Sequence, residues 1–145
     1  MLAQRTGDRI VLGLALAGLA DLARLRGERE EAEHLFSEAL SISAELGPFW
    51  RVVPRALSGL AGIARLSGDN VRSARLFGAA AAVWEASGKR ELANWRTIVD
   101  ADVADVHASL GDEPFAAAWA EGHAMRIEEA LSCAFEAVTD SRRTD

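Results

Sequence analysis

The chain has 145 residues, half of them apolar, and a formal charge of −6 at pH 7. This length suits one domain whose core needs no disulfide or metal to hold it together. The acidic balance has the wrong sign for a surface that binds nucleic acid through its phosphates. The single cysteine, Cys133, excludes an internal disulfide and a thiolate metal site, and it fits a reducing cytoplasm.

The first apolar segment runs from Ile10 to Ala20 and follows two arginines, Arg5 and Arg9. A secretory signal peptide has the same order of charge and apolar run, so it is an alternative interpretation. The run is too short to span a bilayer, and its second half recurs inside the chain, where no signal could act. A buried helix therefore explains it better.

A self-alignment that places residue 15 on residue 56 reveals an internal repeat. Residues 15–27 match residues 56–68 at nine of thirteen positions. The match continues through further pairs in the following helix: Leu35 and Phe36 with Leu76 and Phe77, Ala39 with Ala80, and Gly47 with Gly88. A period of this length is typical of helical-repeat proteins.

Each unit is predicted to form two helices that end at glycines. The first helix carries apolar residues at the spacing of one helix face, namely Leu16, Leu19, Ala20 and Ala23. Gly27 supplies the left-handed residue that ends it, and Arg24 suits the negative end of the helix dipole. The second helix begins with acidic residues and continues the spacing through Ala32, Leu35, Phe36, Ala39 and Ile42.

Helical spacing continues after Gly88. Three apolar stripes follow: Leu92, Trp95, Val99, Val103, Val106 and Leu110; then Phe115, Ala118, Trp119 and Gly122; then Ile127, Ala130, Leu131, Ala134, Phe135 and Val138. Asp112 is the predicted N-cap of the helix after Gly111, with Pro114 in its first turn. The sequence thus predicts an all-α fold of about seven helices.

The repeats resemble the tetratricopeptide repeat. The positions that match its signature spacing are Leu16, Leu19, Ala20, Ala23, Ala32, Phe36, Ala39 and Ala44, and then Leu57, Leu60, Ala61, Ala64, Ser73, Phe77, Ala80 and Glu85. Leu replaces the usual early Trp, the closing Pro is absent, and the period is longer than the usual one of that family. The resemblance implies a divergent solenoid of antiparallel helix pairs, with repeats at 8–47 and 49–88 and divergent helices at 89–138. Residues 139–145 have no apolar side chain and are predicted to form a disordered tail.

The C-terminal third resembles the end of the sensor region in large LuxR-type and AfsR-type ATP-binding transcriptional regulators and cyclase-linked ATPases of actinobacteria. The segments that carry this resemblance are residues 76–88, 110–115, 118–122 and 127–131. The resemblance implies an upstream ATPase domain in the same polypeptide and, in some members, a DNA-binding helix-turn-helix. Any ATP-binding loop would lie outside this chain.

The array is predicted to start in the middle of a repeat. Residues 2–7 resemble the end of a preceding second helix, much as residues 43–47 end the one inside the chain. Without a capping helix, a first helix as apolar as Ile10 to Leu25 leaves an apolar face uncovered. That face requires an upstream segment or a partner.

Few residues in the sequence indicate a catalytic, nucleotide-binding or metal-binding site. Leu19 and Ala20 stand where a P-loop that started at Gly13 would need Lys and Ser or Thr, so no ATP site is predicted. The three histidines, His34, His107 and His123, have no metal-ligand spacing and are predicted to pack and form hydrogen bonds. The carboxylates Asp100, Asp102 and Asp105 could form a cluster for acid or metal chemistry, but we predict a solvated face. Cys133 is predicted to be a small core residue.

The four tryptophans could line a core or a concave ligand groove. Trp84, Trp95 and Trp119 lie on apolar stripes, which favours the core. Trp50 follows Pro48 and Phe49 in the turn between repeats, so Phe49, Trp50 and Arg51 are a candidate contact patch for a partner.

These features predict a cytoplasmic binding module without an enzyme site, cofactor or metal. The first hypothesis is the C-terminal sensor or scaffold part of a large ATP-dependent LuxR-type regulator, which binds a protein or small ligand. The alternative is a free-standing tetratricopeptide-like adaptor that binds a partner protein or self-associates through its first helix. Neither hypothesis predicts direct contact with nucleic acid or a membrane.

Overall fold

The computed structural model describes residues 2–46, 52–88, 93–126, 128–134 and 136. The described residues form six long helices and no strand: α1 (Leu2–Leu25), α2 (Arg29–Leu46), α3 (Val52–Leu66), α4 (Asn70–Ser87), α5 (Ala93–Leu110) and α6 (Asp112–His123). Residues 128–134 are also helical. The all-α prediction is confirmed for this part of the chain.

The internal repeat is visible in the helix ends. Gly27 and Gly68 both adopt a left-handed conformation, with φ of 79° and 85°. The residue after each glycine donates its backbone N–H to the carbonyl five residues before it: Glu28 to Ala23 at 2.9 Å and Asp69 to Ala64 at 3.0 Å. Both turns are therefore the same glycine-dependent C-cap, as the spacing predicted.

The N-terminal prediction is wrong for residues 2–7. They continue α1, which is one helix of 24 residues, and do not end a preceding helix. The helix α1 therefore extends further at its start than α3, which has 15 residues.

The core lies along α3. The largest fully buried side chains include Phe36 and Leu40 of α2, Leu57 of α3, and Leu76 and Phe77 of α4. The helix α1 packs along α2 and α3 packs along α4, while α2 also contacts α3. As a result, nearly every side chain from Val52 to Ala64 is buried.

The helices α4 and α6 cross with their backbones in close contact. A Cβ atom at Gly122 would lie 2.6 Å from the carbonyl carbon of Arg75, and one at Gly78 would lie 3.1 Å from the backbone nitrogen of His123. Only glycine leaves room for this approach, so the two helices are fixed against each other at one crossing point. The helix α5 contacts α4 and α6 much less extensively.

The turn between α5 and α6 differs from the prediction. Gly111, with φ of 86°, is the N-cap of α6, and it provides no side-chain hydrogen bond. Asp112 is the first helical residue, and its carboxylate pairs with His107 Nε2 at 2.7 Å. Pro114 lies in the first turn as predicted.

Among the described helices, none combines the length and the apolar character that crossing a bilayer requires.

Candidate ligand groove

Two arginines from the two repeats converge on one aspartate of α5. Arg24 Nη1 lies 2.9 Å from Asp102 Oδ2, and Arg65 Nη2 lies 3.3 Å from Asp102 Oδ1. Arg24 and Arg65 are aligned by the internal repeat and so occupy the same repeat position. The side chain of Asp102 is only 12% exposed, so the ion pairs are shielded from water and hold α5 against α1 and α3.

Gly62 makes room for this contact. A Cβ atom there would lie 3.0 Å from Arg24 Nη1 and 3.1 Å from Asp102 Oδ2. The matching position in the first repeat is Asp21, which receives Arg55 Nη2 at 2.8 Å. At this position the two repeats therefore differ: the first has the carboxylate of Asp21, and the second has Gly62, which leaves space for the ion pair.

Asp21 is itself nearly buried, at 4% exposure. Burial raises the pKa of this carboxyl, and the nearby Arg55 and Arg24 offset part of that rise. Both arginines favour the ionised form of Asp21, and the pair of Asp21 with Arg55 links α1 to α3, as Asp102 links α5 to both.

The predicted solvated face of Asp100, Asp102 and Asp105 is thus wrong for Asp102. Asp100 and Asp105 are exposed, as predicted. Sequence spacing does not distinguish the three, because the partners of Asp102 are Arg24 and Arg65, which lie far away along the chain on other helices.

An open groove lies on the other side of α5. It has a volume of about 550 Å³ and is bounded by α3, α4, α5 and α6. Its wall is mainly apolar and aromatic, and the lining residues are Ser58, Phe77, Ala80, Ala81, Trp84, Glu85, Gly88, Arg96, Val99, Asp100, Val103 and Trp119. Apolar grooves of this size with a few polar groups are the usual form of small-ligand sites.

The polar groups of the groove come from Glu85, Arg96 and Asp100 on its rim, and from the buried Ser58 hydroxyl and the Trp84 indole in its wall. Glu85 is paired with His123 of α6 at 2.7 Å, whereas Arg96 and Asp100 of α5 are exposed. The indole Nε1 of Trp84 is buried and has no hydrogen-bond partner among the described residues. A buried donor without an acceptor destabilises a protein by about 1–3 kcal/mol, so an acceptor brought by a ligand would be stabilising.

The tryptophans are divided between core and groove differently from the prediction. Trp84 and Trp119 are half-buried and line the groove, which corresponds to the alternative interpretation for aromatic stripes. The side chain of Trp95 lies outside the described residues. The apolar spacing indicated which faces of α4 and α6 point inward. It did not indicate that α5 lies far enough from them to leave a groove.

The contact between α2 and α3 can be compared with the groove region further along the chain. At the α2–α3 contact the ring of Phe36 lies against Gly59, where a Cβ atom would be 2.6 Å from Phe36 Cε2. Phe77 and Asp100 follow these two residues by 41 positions, and both line the groove. At this offset α5 has a carboxylate where α3 has the glycine that admits the ring, and this difference is visible in the sequence.

The other residues that the sequence singled out provide less evidence of a binding site. Phe49, Trp50 and Arg51 lie outside the described residues, so the proposed contact patch stays a prediction. The histidines do form side-chain pairs: His34 with Glu38, besides the contacts of His107 and His123 already given.

Cys133 is half-buried against the core. Burial raises the pKa of its thiol, as expected for a small packing residue. Among the described residues, no three His, Cys, Asp or Glu side chains are grouped so that they could hold a metal ion.

The chain is similar in sequence to three curated proteins, each named "Putative HTH-type transcriptional regulator", from Mycobacterium bovis strain ATCC BAA-935 / AF2122/97 and from Mycobacterium tuberculosis strains CDC 1551 / Oshkosh and ATCC 25618 / H37Rv. The identity to each is 36% over 121 residues, which are 83% of this chain. The chain spans only 14% of the length of these relatives. No protein-family model matches the chain, and no solved structure matches it significantly.

The geometry predicts that Asp102 contributes much more to stability than its neighbour Asp105. Asp102→Asn leaves Arg65 without a buried counter-charge and leaves Arg24 only its longer, 3.9 Å contact with Asp21, so it should lower the free energy of unfolding by about 3 kcal/mol. Asp105→Asn should cost less than about 1 kcal/mol, because Asp105 is exposed and lies 3.6 Å from Arg65. Urea unfolding of the two variants measures the difference, and equal small losses would contradict the assigned role of Asp102.

Proposed function

We propose that the chain is a ligand-binding or protein-binding regulatory module of a larger helix-turn-helix-type transcriptional regulator. The observation that carries the proposal is the groove between α4, α5 and α6. The similarity to the mycobacterial regulators supports the regulatory context, because it extends over 83% of this chain. The described residues provide a recognition surface, so we propose binding and not catalysis.

The finer proposal is that the chain is a tetratricopeptide-like C-terminal sensor or scaffold of a cytoplasmic, LuxR-type regulator. In this proposal, occupation of the groove changes how α5 packs on α3, and the change passes to an ATPase domain in the same polypeptide. The resemblance of residues 8–138 to the sensor regions of such regulators supports this.

The groove fits a small amphiphilic molecule with an apolar or aromatic body and a hydrogen-bond acceptor. Phe77, Val103 and Trp119 would contact the apolar body. A shift of the Trp84 ring would bring its buried indole N–H to the acceptor, and the exposed guanidinium of Arg96 would favour an acceptor that is anionic.

A set of aryl-alkyl carboxylic acids tests the groove. A member that binds should raise the melting temperature of the chain by several degrees at a concentration well above its Kd, because a ligand that binds only the folded state stabilises it. Ala81→Leu adds volume inside the groove and should abolish the shift. The matched control is Ala117→Leu on the exposed face of α6, which should retain it.

Shifts that persist in Ala81→Leu would place binding elsewhere. If no acid of the set shifted the melting temperature of the parent chain, this ligand class would be wrong.

The second candidate, a free-standing adaptor, is supported by the large apolar side chains that α1 exposes, including Leu19 and Leu22. The mass of the native polypeptide distinguishes the two candidates. An antibody to the 112–126 segment, used on extracts of the source cell, should detect a band several times heavier than the 15.5 kDa of this chain. That expectation follows because the matched segment is only 14% of each relative. A band near 15.5 kDa would instead support the adaptor.

A further inference from the structure

The helix α1 has an apolar face that nothing in the described chain covers. The side chains on this face are Val11, Leu12, Leu19 and Leu22, which are 66%, 48%, 52% and 51% exposed. They recur at the spacing of one helix face, together with the small residues Ala15 and Gly18. A continuous exposed patch of this kind marks an interaction surface.

The internal repeat shows what covers the same face elsewhere. The residues one repeat later on α3 are Val52, Val53, Leu60 and Ile63, which are 4%, 0%, 2% and 2% exposed. The helix α3 contacts α2, which precedes it in the chain and presents Phe36 to Gly59. The face that is buried in the second repeat is therefore exposed in the first, where the described residues include no helix in the position that α2 takes relative to α3.

The glycine position that admits the aromatic ring on α3 recurs on α1, where no described atom lies against it. Gly18 stands one repeat before Gly59, and a Cβ atom at Gly18 would meet nothing within 4 Å. At Gly59 the same atom would overlap the ring of Phe36. A glycine in a helix interior costs about 0.5–1 kcal/mol relative to alanine, and the cost at Gly59 is explained by the ring that the glycine admits.

We propose that α1 binds an amphipathic helix that resembles α2 and packs an aromatic side chain against Gly18. This helix belongs to a helix pair that precedes α1 in the same polypeptide. Three observations support this occupant. The exposed residues of α1 repeat residues that are buried on α3, a helix that α2 contacts; the glycine that admits the ring is present on both helices; and this chain spans only 14% of the length of the similar regulators. The proposal does not depend on whether the groove binds a ligand.

The chain can supply the missing helix itself. Duplicating residues 10–50 directly before residue 10 keeps the repeat spacing and places a copy of α2 ahead of the original α1. We expect backbone amides of residues 11–25 in the original α1 to exchange with solvent at least about tenfold more slowly than in the parent chain, since exchange follows local stability. The matched control carries Phe36→Ala in the inserted copy only, and it should lose most of this protection.

A substitution at Gly18 distinguishes specific packing of the aromatic ring from general stabilisation by an added repeat. Gly18→Leu should leave the urea midpoint of the parent chain unchanged or slightly higher, because the space there is open. In the duplicated chain, Gly18→Leu in the original α1 should lower the midpoint, because leucine would collide with the inserted phenylalanine.

The proposal is overturned if the duplication leaves exchange in the original α1 unchanged, or if Gly18→Leu has the same effect in both chains. It is also overturned if sedimentation shows that the parent chain is a stable dimer which Leu19→Asp dissociates, because a second copy of the chain would then be the occupant.

Discussion

The arrangement of the helices depends on the pairing of Arg24 and Arg65 with Asp102. The helices α1, α3 and α5 are the first members of successive helix pairs, and these ion pairs tie all three together on one side. Gly62 favours the contact because a Cβ atom there would lie within 3.1 Å of both Arg24 Nη1 and Asp102 Oδ2, so a side chain would displace them. The same contact determines where α5 lies, and therefore where the groove opens.

Two constraints act on the last helix pair from opposite directions. The glycine crossing holds α6 directly on α4, whereas Asp102 holds α5 towards α1 and α3. The pair is consequently spread apart, and the space between its helices becomes the groove lined by Trp84 and Trp119. In the proposed function, a ligand in this groove would contact α5 and bias its position.

The sequence predicted the helices and their ends well because these depend on local patterns. The glycines at 27 and 68 and the three-and-four apolar spacing act within one or two turns of a helix. The role of Asp102 and the opening of the groove could not be predicted in the same way, because they depend on contacts between helices far apart in the chain. Leu19 shows the same limit: its spacing marks an apolar face, yet whether that face is buried depends on whether another helix precedes it.

The most direct test of this account is the distance between α4 and α5 in solution. Spin labels at Ala86→Cys and Ala104→Cys, two exposed positions on these helices, would be combined with Cys133→Ala to remove the native thiol. Electron–electron resonance should give one narrow distance distribution when Asp102 is present and a broader one after Asp102→Asn, measured where circular dichroism shows both chains to be folded. An unchanged narrow distribution in Asp102→Asn would contradict the claim that this ion pair positions α5 and keeps the groove open.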